Sequence, residues 1–373
     1  MKEKIKVLHI IKSLGRGGAE MLLPESLGLH NQDQFEFYYL YFLPWKDQMV
    51  ESIEQKGGKV TCFASKNNLS ILLKIWRTIR FVKQNNIQLI HSHLPWAGIL
   101  ARIVGQIIKV PVIYTEHNKQ ERYHWITQKM NLCTMGMLTE VIAVSSDVAG
   151  SIHRNKPDLR VSVRTIANGV NVNKFRRDHF NKTEIRARLG IPNDAPIVGS
   201  VAVFRFQKRL DLWMELAAAI LRDNESAHFV LVGDGPLRAD LFEKREALGL
   251  GDRIHMPGLE TEIRPYLASF DIYMMSSIFE GLPVAMLEAM AMQCPVITTD
   301  AGGIKEVIRH EVDGLVCSVE KPQRLVEFAT MLLKKQNLLD SYGEHARRRV
   351  VEKFSMERMV MALEEVYHSL AIV

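Results

Sequence analysis

Short runs of β-branched and aromatic residues alternate with helix-period segments along almost the whole chain, and this rhythm constrains the fold more than any other feature. It predicts strands over residues 6–11, 35–41, 59–63, 88–92, 112–115, 141–144 and 161–166, with a first helix starting at Gly18. Strands that alternate with helices are joined by crossovers, so they build a mostly parallel sheet covered by helices on both faces. The rhythm then pauses over a polar stretch from Asn168 to Ala195, which holds Asn168-Gly169, Arg176-Arg177 and Pro192 and reads as a domain linker. A second series opens at residues 197–203 and continues at 229–232, 272–275 and 296–299. A chain of 373 residues is long for one core, and two domains follow from that length. The expected class is α/β, with two Rossmann-like, doubly wound domains facing across a cleft that serves as the ligand site.

Net charge hides an asymmetry. Residues 1–164 carry 22 Lys and Arg against 13 Asp and Glu, a net +9, which leaves −3 for the remainder of a chain whose total is +6. Within the basic half, the segment Leu69 to Lys83 sets Lys74, Arg77, Arg80 and Lys83 at helical spacing beside Ile71, Leu72, Ile75, Trp76, Ile79 and Phe81. Such a helix either buries its apolar side in the domain core or lies on an anionic bilayer. The apolar run Val7 to Ile11 is too short for a signal peptide or a span, and no other stretch approaches the roughly 18 uncharged apolar residues of a spanning helix. Cys62, Cys133, Cys294 and Cys317 are far apart and unpaired in spacing, so they read as buried thiols in a reducing compartment. The expected location is the cytoplasm, with the inner membrane face as a refinement.

Two elements carry chemistry. Gly15-Arg16-Gly17-Gly18-Ala19-Glu20 follows a strand and opens a helix, where backbone N–H groups meet a phosphate. The same glycines equally suit a tight strand-to-helix turn. A nicotinamide site needs an acid at the end of the second strand; this chain has Leu40, Tyr41, Phe42 and Leu43 there, which counts against oxidoreduction. The second element is Glu280-Gly281-Leu282-Pro283-Val284-Ala285-Met286-Leu287-Glu288. Pro283 suits a first helical turn and Gly281 admits a close ligand, so Glu280 falls in the loop before a helix N-terminus that favours an anion. Glu288 lies about one and a half turns deeper, at roughly 1.5 Å per residue. Read singly, these two acids also fit an N-terminal acid favoured by the dipole and an ordinary surface acid.

With Glu at both ends, that second element resembles the E-x7-E signature of retaining glycosyltransferases of the GT-B fold, family four. Other landmarks of the family follow in order: Gly17-Gly18-Ala19-Glu20, His91-Ser92-His93-Leu94, Glu116-His117-Asn118, Val144-Ser145-Ser146, Asn168-Gly169-Val170-Asn171, Val232-Gly233-Asp234-Gly235-Pro236, Asp300-Ala301-Gly302-Gly303 with Glu306, and Asp313-Gly314-Leu315. The resemblance implies an acceptor-side domain over residues 1–168 with a C-terminal helix at about 355–373 packing back on it, and a nucleotide-sugar domain over 169–354. It implies that Glu280 contacts the donor sugar, Glu288 the ribose hydroxyls, and His117 the donor sugar from the first domain. Gly17, Gly18, Gly233, Gly281, Leu282, Pro283 and Leu287 complete the implied substrate-binding set. Lys208 matches the family's phosphate-binding Lys, whereas the preceding Arg position is Val203 here, and Arg205 is the candidate replacement.

Departure of a nucleoside diphosphate leaves positive charge on the sugar and negative charge on phosphate, which is why cations and polar groups are needed at the site. The family explanation is a front-face substitution in which the leaving phosphate helps deprotonate the acceptor, so no separate base is required. No cofactor is expected. His91 and His93 suggest a metal pair, but no further ligand stands at useful spacing and no Asp-x-Asp element occurs, so no metal is expected either. The implied partners are a nucleotide sugar, UDP before GDP, carrying a hexose or N-acetylhexosamine, and a glycan or lipid-linked acceptor of capsule, exopolysaccharide or lipopolysaccharide type. Nucleic acid is not among them. Hydrolysis is a poorer fit because it places two carboxylates about one bond. The rival outside enzymology is a non-catalytic nucleotide-sugar-binding partner of another transferase, for which Val203 is the one supporting feature.

Overall fold

The computed structural model describes residues 3–371 and divides into two compact units. Unit 1 runs up to Gly169 and resumes at Met356; unit 2 is Val170–Ser355. The fold class is as expected, two parallel-sheet Rossmann-like units. Unit 1 holds β1 (Ile5–Ile10), β2 (Phe35–Tyr41), β3 (Lys59–Cys62), β4 (Leu89–His93), β5 (Val112–Glu116), β6 (Glu140–Ala143) and β7 (Ser162–Thr165). Unit 2 holds β8 (Ile197–Val201), β9 (His228–Val232), β10 (Ile254–Gly258), β11 (Ile272–Met275), β12 (Val296–Thr299) and β13 (Leu315–Cys317).

Strand orders are β3-β2-β1-β4-β5-β6-β7 and β10-β9-β8-β11-β12-β13. The chain winds outward from β1 to β3, then returns to the other side of β1 at β4; unit 2 repeats the manoeuvre at β8 and β11. Loops leaving the two central strands therefore diverge, and a crevice opens at their carboxyl ends. Central strands such as β4, β5, β9 and β12 are buried along their whole length, as helices on both faces require. In unit 2 Trp213, Phe204, Phe229 and Ile272 are among the buried side chains of one continuous cluster.

Several expectations are corrected. β10 and β13 were not legible: the first carries Pro257 and a shifted register, and the second is three residues long. The polar stretch 168–195 is no free linker, because it contains the helix Lys182–Leu189, whose Arg186 donates to the carbonyls of Pro192 and Ala195 and pairs with Asp271 at 3.2 Å. The basic segment is two helices, Asn68–Leu72 and Ile75–Gln84, rather than one. Ile71, Ile79 and Val82 turn inward, whereas Leu69, Leu73 and Trp76 stand outward beside Arg77, Arg80 and Lys83. Of the cysteines, Cys294 and Cys317 are buried, but Cys62 is half-buried and Cys133 faces solvent from the helix Trp125–Met135. Among the described residues no helix is long and apolar enough to cross a membrane.

The helix Met356–Ala371 returns the chain to unit 1. Its Glu364 accepts hydrogen bonds from the Asn31 backbone N–H at 2.8 Å and pairs with His30 at 3.0 Å. Tyr367 is fully buried and its hydroxyl lies 2.7 Å from His91 Nδ1. Removing a buried aromatic ring leaves a cavity worth about 3–5 kcal/mol. Tyr367→Ala should lower the unfolding free energy of unit 1, read from denaturant titration, by that scale, and a loss below about 1 kcal/mol, the average for an arbitrary substitution, would show that this helix is not part of the core.

Candidate functional site

In unit 2 the site grows from the two loops at the switch point. After β8 the chain leaves the sheet at Ala202 and makes the 3-10 turn Phe206–Lys208; after β11 it runs through Ser276 to Glu280. Backbone bonds join the loops: Ile278 N–H donates to the Gln207 carbonyl at 2.9 Å, and Ser276 Oγ donates to the carbonyls of Lys208 and Arg209 at 3.0 and 2.9 Å. This brings Lys208 Nζ within 2.5 Å of Glu280 Oε1, which also accepts from Ser277 Oγ at 2.7 Å. Both charged side chains are largely buried, where an ion pair is far less screened than at a surface. Residues 72 apart in sequence thus form one polar centre.

Beyond it lies the helix Val284–Ala291, whose N-cap is Pro283 and whose first turn has no side-chain cap. Its leading N–H groups are consequently available to an anion. Gly281, Leu282 and Pro283 are buried in the approach, and Leu287 is fully buried. Glu288 is 6% exposed, so it is not an ordinary surface acid. Arg205 and Val203 are both exposed on the loop after β8, and the Arg205 guanidinium has no partner among the described residues.

Glycines hold these loops close. Gly302 has φ +70°, and a Cβ there would overlap the Glu280 carbonyl oxygen; the neighbouring Gly303 N–H donates to the Gly281 carbonyl at 3.1 Å. The turn 300–303 is a clamp on the Glu280 loop. Gly233, at φ +136°, packs in the same way on the Ala202 carbonyl, and Phe204 N–H donates to the Asp234 carbonyl at 2.9 Å. Its direct effect is to shape the loop that carries Arg205 and Lys208.

Unit 1 places its candidates around its own switch point. Gly17 caps the helix Gly18–Leu27 in an extended conformation, and the Glu20 side chain folds back over it, accepting from Ser13 Oγ at 3.1 Å. The place foreseen for a phosphate beside Gly17 and Gly18 thus holds the protein's own carboxylate. His117 follows β5 and is half-buried; burial pushes its pKa down to about 4. Its loop is anchored by Glu116, which is fully buried and accepts from the hydroxyls of Tyr114 and Tyr123, the side chains of Gln120 and Asn131, and the Asn118 N–H. Burial raises the Glu116 pKa in spite of these donors.

The third ligand that spacing did not reveal beside His91 and His93 is His9, supplied by the neighbouring strand β1, and the ligating atoms of the three lie within 4.8 Å of one another. Their nitrogens already serve one another and nearby hydroxyls: His91 meets Tyr367 and Thr115, each at 2.7 Å, and His9 meets His93 at 3.0 Å. The set reads as a hydrogen-bond cluster. Ser277 and His9 join the candidate residues only in the structure, and Glu116, quoted in the sequence only beside His117, proves to anchor the His117 loop. Ser276-Ser277 directly after a strand was a usable signal, whereas nothing local marks His9.

Residues 181–349 match the family model of glycosyl transferases group 1, and residues 36–174 match that of glycosyltransferase family 4. The chain is 29% identical over 77% of its length to N-acetyl-alpha-D-glucosaminyl L-malate synthase of Bacillus anthracis, covering 76% of that protein. It is 22% identical to the UDP-Gal:alpha-D-GlcNAc-diphosphoundecaprenol alpha-1,3-galactosyltransferase of Escherichia coli, over 99% of this chain and 98% of that one. The solved structure of Anabaena HepE in complex with UDP-glucose has the same fold, with a TM-score of 0.85 at 20% identity, over 98% of this chain and all of the other.

The clamp yields a test. Gly302→Ala introduces both a strained positive φ and a clash with the Glu280 carbonyl. It should shift the Glu280 loop and weaken binding of a nucleoside diphosphate by at least about tenfold, the effect of roughly 1.4 kcal/mol, while circular dichroism stays native. Unchanged calorimetric affinity would show that the clamp does not position the site.

Proposed function

The chain belongs to the glycosyl transferases of group 1 and family 4, and from that premise we propose that it moves a hexose or N-acetylhexosamine from a UDP sugar to a glycan or lipid-linked acceptor with retention of anomeric configuration. It is a glycosyltransferase of the GT-B fold. The observation that carries the finer reading is the Lys208–Glu280 pair at the switch point of the second sheet, 2.5 Å apart beside an uncapped helix N-terminus. Lys208 and the leading N–H groups of the helix Val284–Ala291 stabilise the charge that develops on the departing diphosphate. Glu280, held by Lys208 and Ser277, faces the sugar, and Glu288 takes the ribose hydroxyls. His117 on unit 1 hydrogen-bonds a substrate hydroxyl, and Arg205 supplies the cation that Val203 does not.

UDP is favoured because HepE is solved with UDP, with UDP and glucose, and with UDP-glucose, and because the Escherichia coli relative is named for UDP-Gal. A lipid-linked acceptor is favoured by that relative's diphosphoundecaprenol substrate and by the alpha-monoglucosyldiacylglycerol synthase of Streptococcus pneumoniae. No metal ion takes part in this scheme, since a lysine and helix N–H groups do the work of neutralising phosphate. Transfer measured in excess EDTA should therefore equal that without chelator. Under the same conditions Glu280→Gln should lose at least 10²-fold in kcat, the scale of one electrostatic catalytic group, and Lys208→Ala should weaken UDP by about 10- to 100-fold, the range of a charged hydrogen bond. Wild-type turnover in the first, or undiminished UDP affinity in the second, would contradict these roles.

The proposal extends to peripheral contact with an anionic membrane. Leu69, Leu73 and Trp76 form an exposed ridge, each at least 67% accessible, with Arg77, Arg80 and Lys83 exposed alongside. Each basic side chain near an anionic surface contributes on the order of 1 kcal/mol, which gives weak, salt-sensitive binding. Sedimentation with anionic vesicles at low salt should fall when Lys74, Arg77, Arg80 and Lys83 are all changed to Gln, and should vanish for both proteins at high salt. Equal sedimentation of the two proteins at low salt would remove this segment from any membrane role.

A further inference from the structure

The loops that follow β1, β2 and β3 meet at the carboxyl edge of the first sheet, and two lysines stand among them. The N–H groups of Phe42 and Leu43 donate to the Lys12 carbonyl at 3.2 and 3.3 Å, that of Leu14 to the Lys46 carbonyl at 2.9 Å, and that of Ser65 to the Phe42 carbonyl at 2.8 Å. Lys12 is half-buried and Lys46 is exposed. The Lys46 side chain runs past Gly15, where a Cβ would lie 3.6 Å from its Cβ and 3.8 Å from its Cδ.

This pair is unbalanced in charge. Lys12 Nζ donates to Asn68 Oδ1 at 2.8 Å, a neutral acceptor, and neither lysine is ion-paired among the described residues, although Glu20 and Asp47 are near in sequence. Burial first, and the Lys46 charge second, hold the Lys12 pKa below its ordinary value. A half-buried ammonium beside a second one, with an amide as its partner, costs stability in the empty protein. An anion held by both would offset that cost.

The surroundings say which anion. Asn68 opens the helix Asn68–Leu72, and Leu69 and Leu73 are exposed on and just past it, so the Lys12 contact lies directly beside the apolar ridge that continues to Trp76. Trp45, next to Lys46, is exposed as well. Apolar side chains at a rim, with cations beside and beneath them, match a ligand that is anionic at its head and anchored in a bilayer. A single phosphodiester headgroup offers one charge to such a pair, whereas a diphosphate offers charge on adjacent phosphates to both lysines. We propose that Lys12 and Lys46 bind the diphosphate of a lipid-linked acceptor, a prenyl diphosphate bearing the sugar to be extended. The role of the two lysines rests on the reading of the acceptor as lipid-linked.

Cosedimentation tests it with phosphatidylcholine vesicles that carry a small fraction of undecaprenyl diphosphate, against vesicles given the same total charge by phosphatidylglycerol. Wild type should prefer the diphosphate vesicles. Lys12→Gln and Lys46→Gln should each lose about tenfold on them, the scale of one charge-assisted hydrogen bond, and should keep wild-type binding to the phosphatidylglycerol vesicles. Lys12→Arg should restore most of the loss. Lys46 is exposed on its loop, so its variant decides the matter if Lys12→Gln is poorly folded by circular dichroism. Equal losses on both kinds of vesicle would reduce the lysines to general surface charge, and undiminished binding by both variants would remove them from the site. Either result overturns the proposal and leaves the lipid-linked reading standing, since wild type still prefers the diphosphate lipid. Release of wild type by inorganic diphosphate at the concentration of the lipid would assign the site to the free anion and overturn the lipid ligand. No preference in the wild type overturns the lipid-linked reading and the proposal together.

Discussion

Each sheet reverses its winding once, and that reversal is the constraint on which the rest of the molecule depends. Parallel strands need long crossovers, and crossovers that proceed in opposite directions from two adjacent strands cannot both cover the ends of those strands. The uncovered places are the carboxyl ends of β1 and β4 in one unit and of β8 and β11 in the other. The groups with a chemical role argued above stand on strands or loops at or beside them, or, like Glu288, on the helix that follows such a loop. Lys208 follows β8 and Glu280 follows β11; His9 lies on β1, His93 ends β4, and His117 follows the adjacent β5. Topology thus placed the sites before any side chain was chosen.

The two crevices solve opposite electrostatic problems. In unit 2 a lysine and a carboxylate are held together at 2.5 Å with Ser277 donating to the carboxylate, while the adjacent helix terminus has no side-chain cap. In unit 1 the histidines are kept neutral by burial, and their organisation is a matter of which nitrogen bears the proton. Glu116 belongs to the same economy of buried polarity. Five donors surround it, enough to satisfy a carboxyl group that burial would otherwise make very unfavourable. It ties the segment bearing His117 to Tyr114 on β5 and to Asn131 on the helix Trp125–Met135, so a loop position acquires the rigidity of the scaffold.

Glycine positions show how much of this was legible. Gly302 and Gly233 stood out in the sequence because each falls in a short motif after a strand, and each proves to occupy a positive φ that brings one backbone onto another. Gly17 stood out for the same reason, yet its backbone is extended and its space is filled by Glu20. The motif alone could not tell these cases apart, because what matters is the atom that arrives opposite the missing Cβ. The basic segment carries the same lesson: its charges were visible at helical spacing, but only the structure shows that it breaks into the helices Asn68–Leu72 and Ile75–Gln84 and that Leu69, Leu73 and Trp76 stand exposed beside those charges.

Local chemistry is what the sequence determined by itself. Strand and helix periodicity, the turn residues after each strand and the acid pair Glu280 and Glu288 all act over a few residues, so they are written in order along the chain and led to the α/β class and to most of the strands. Strands that break the pattern, such as β10 with its proline and the three-residue β13, escaped because they borrow their stability from neighbours in the sheet. Only the tertiary structure decided that Glu288 is buried, that Lys208 meets Glu280, and that His9 joins His91 and His93. Those contacts span 72 residues in one case and 84 in another, from His9 to His93, and they exist because parallel pairing sets distant segments side by side at about 4.8 Å, a proximity that no local pattern encodes.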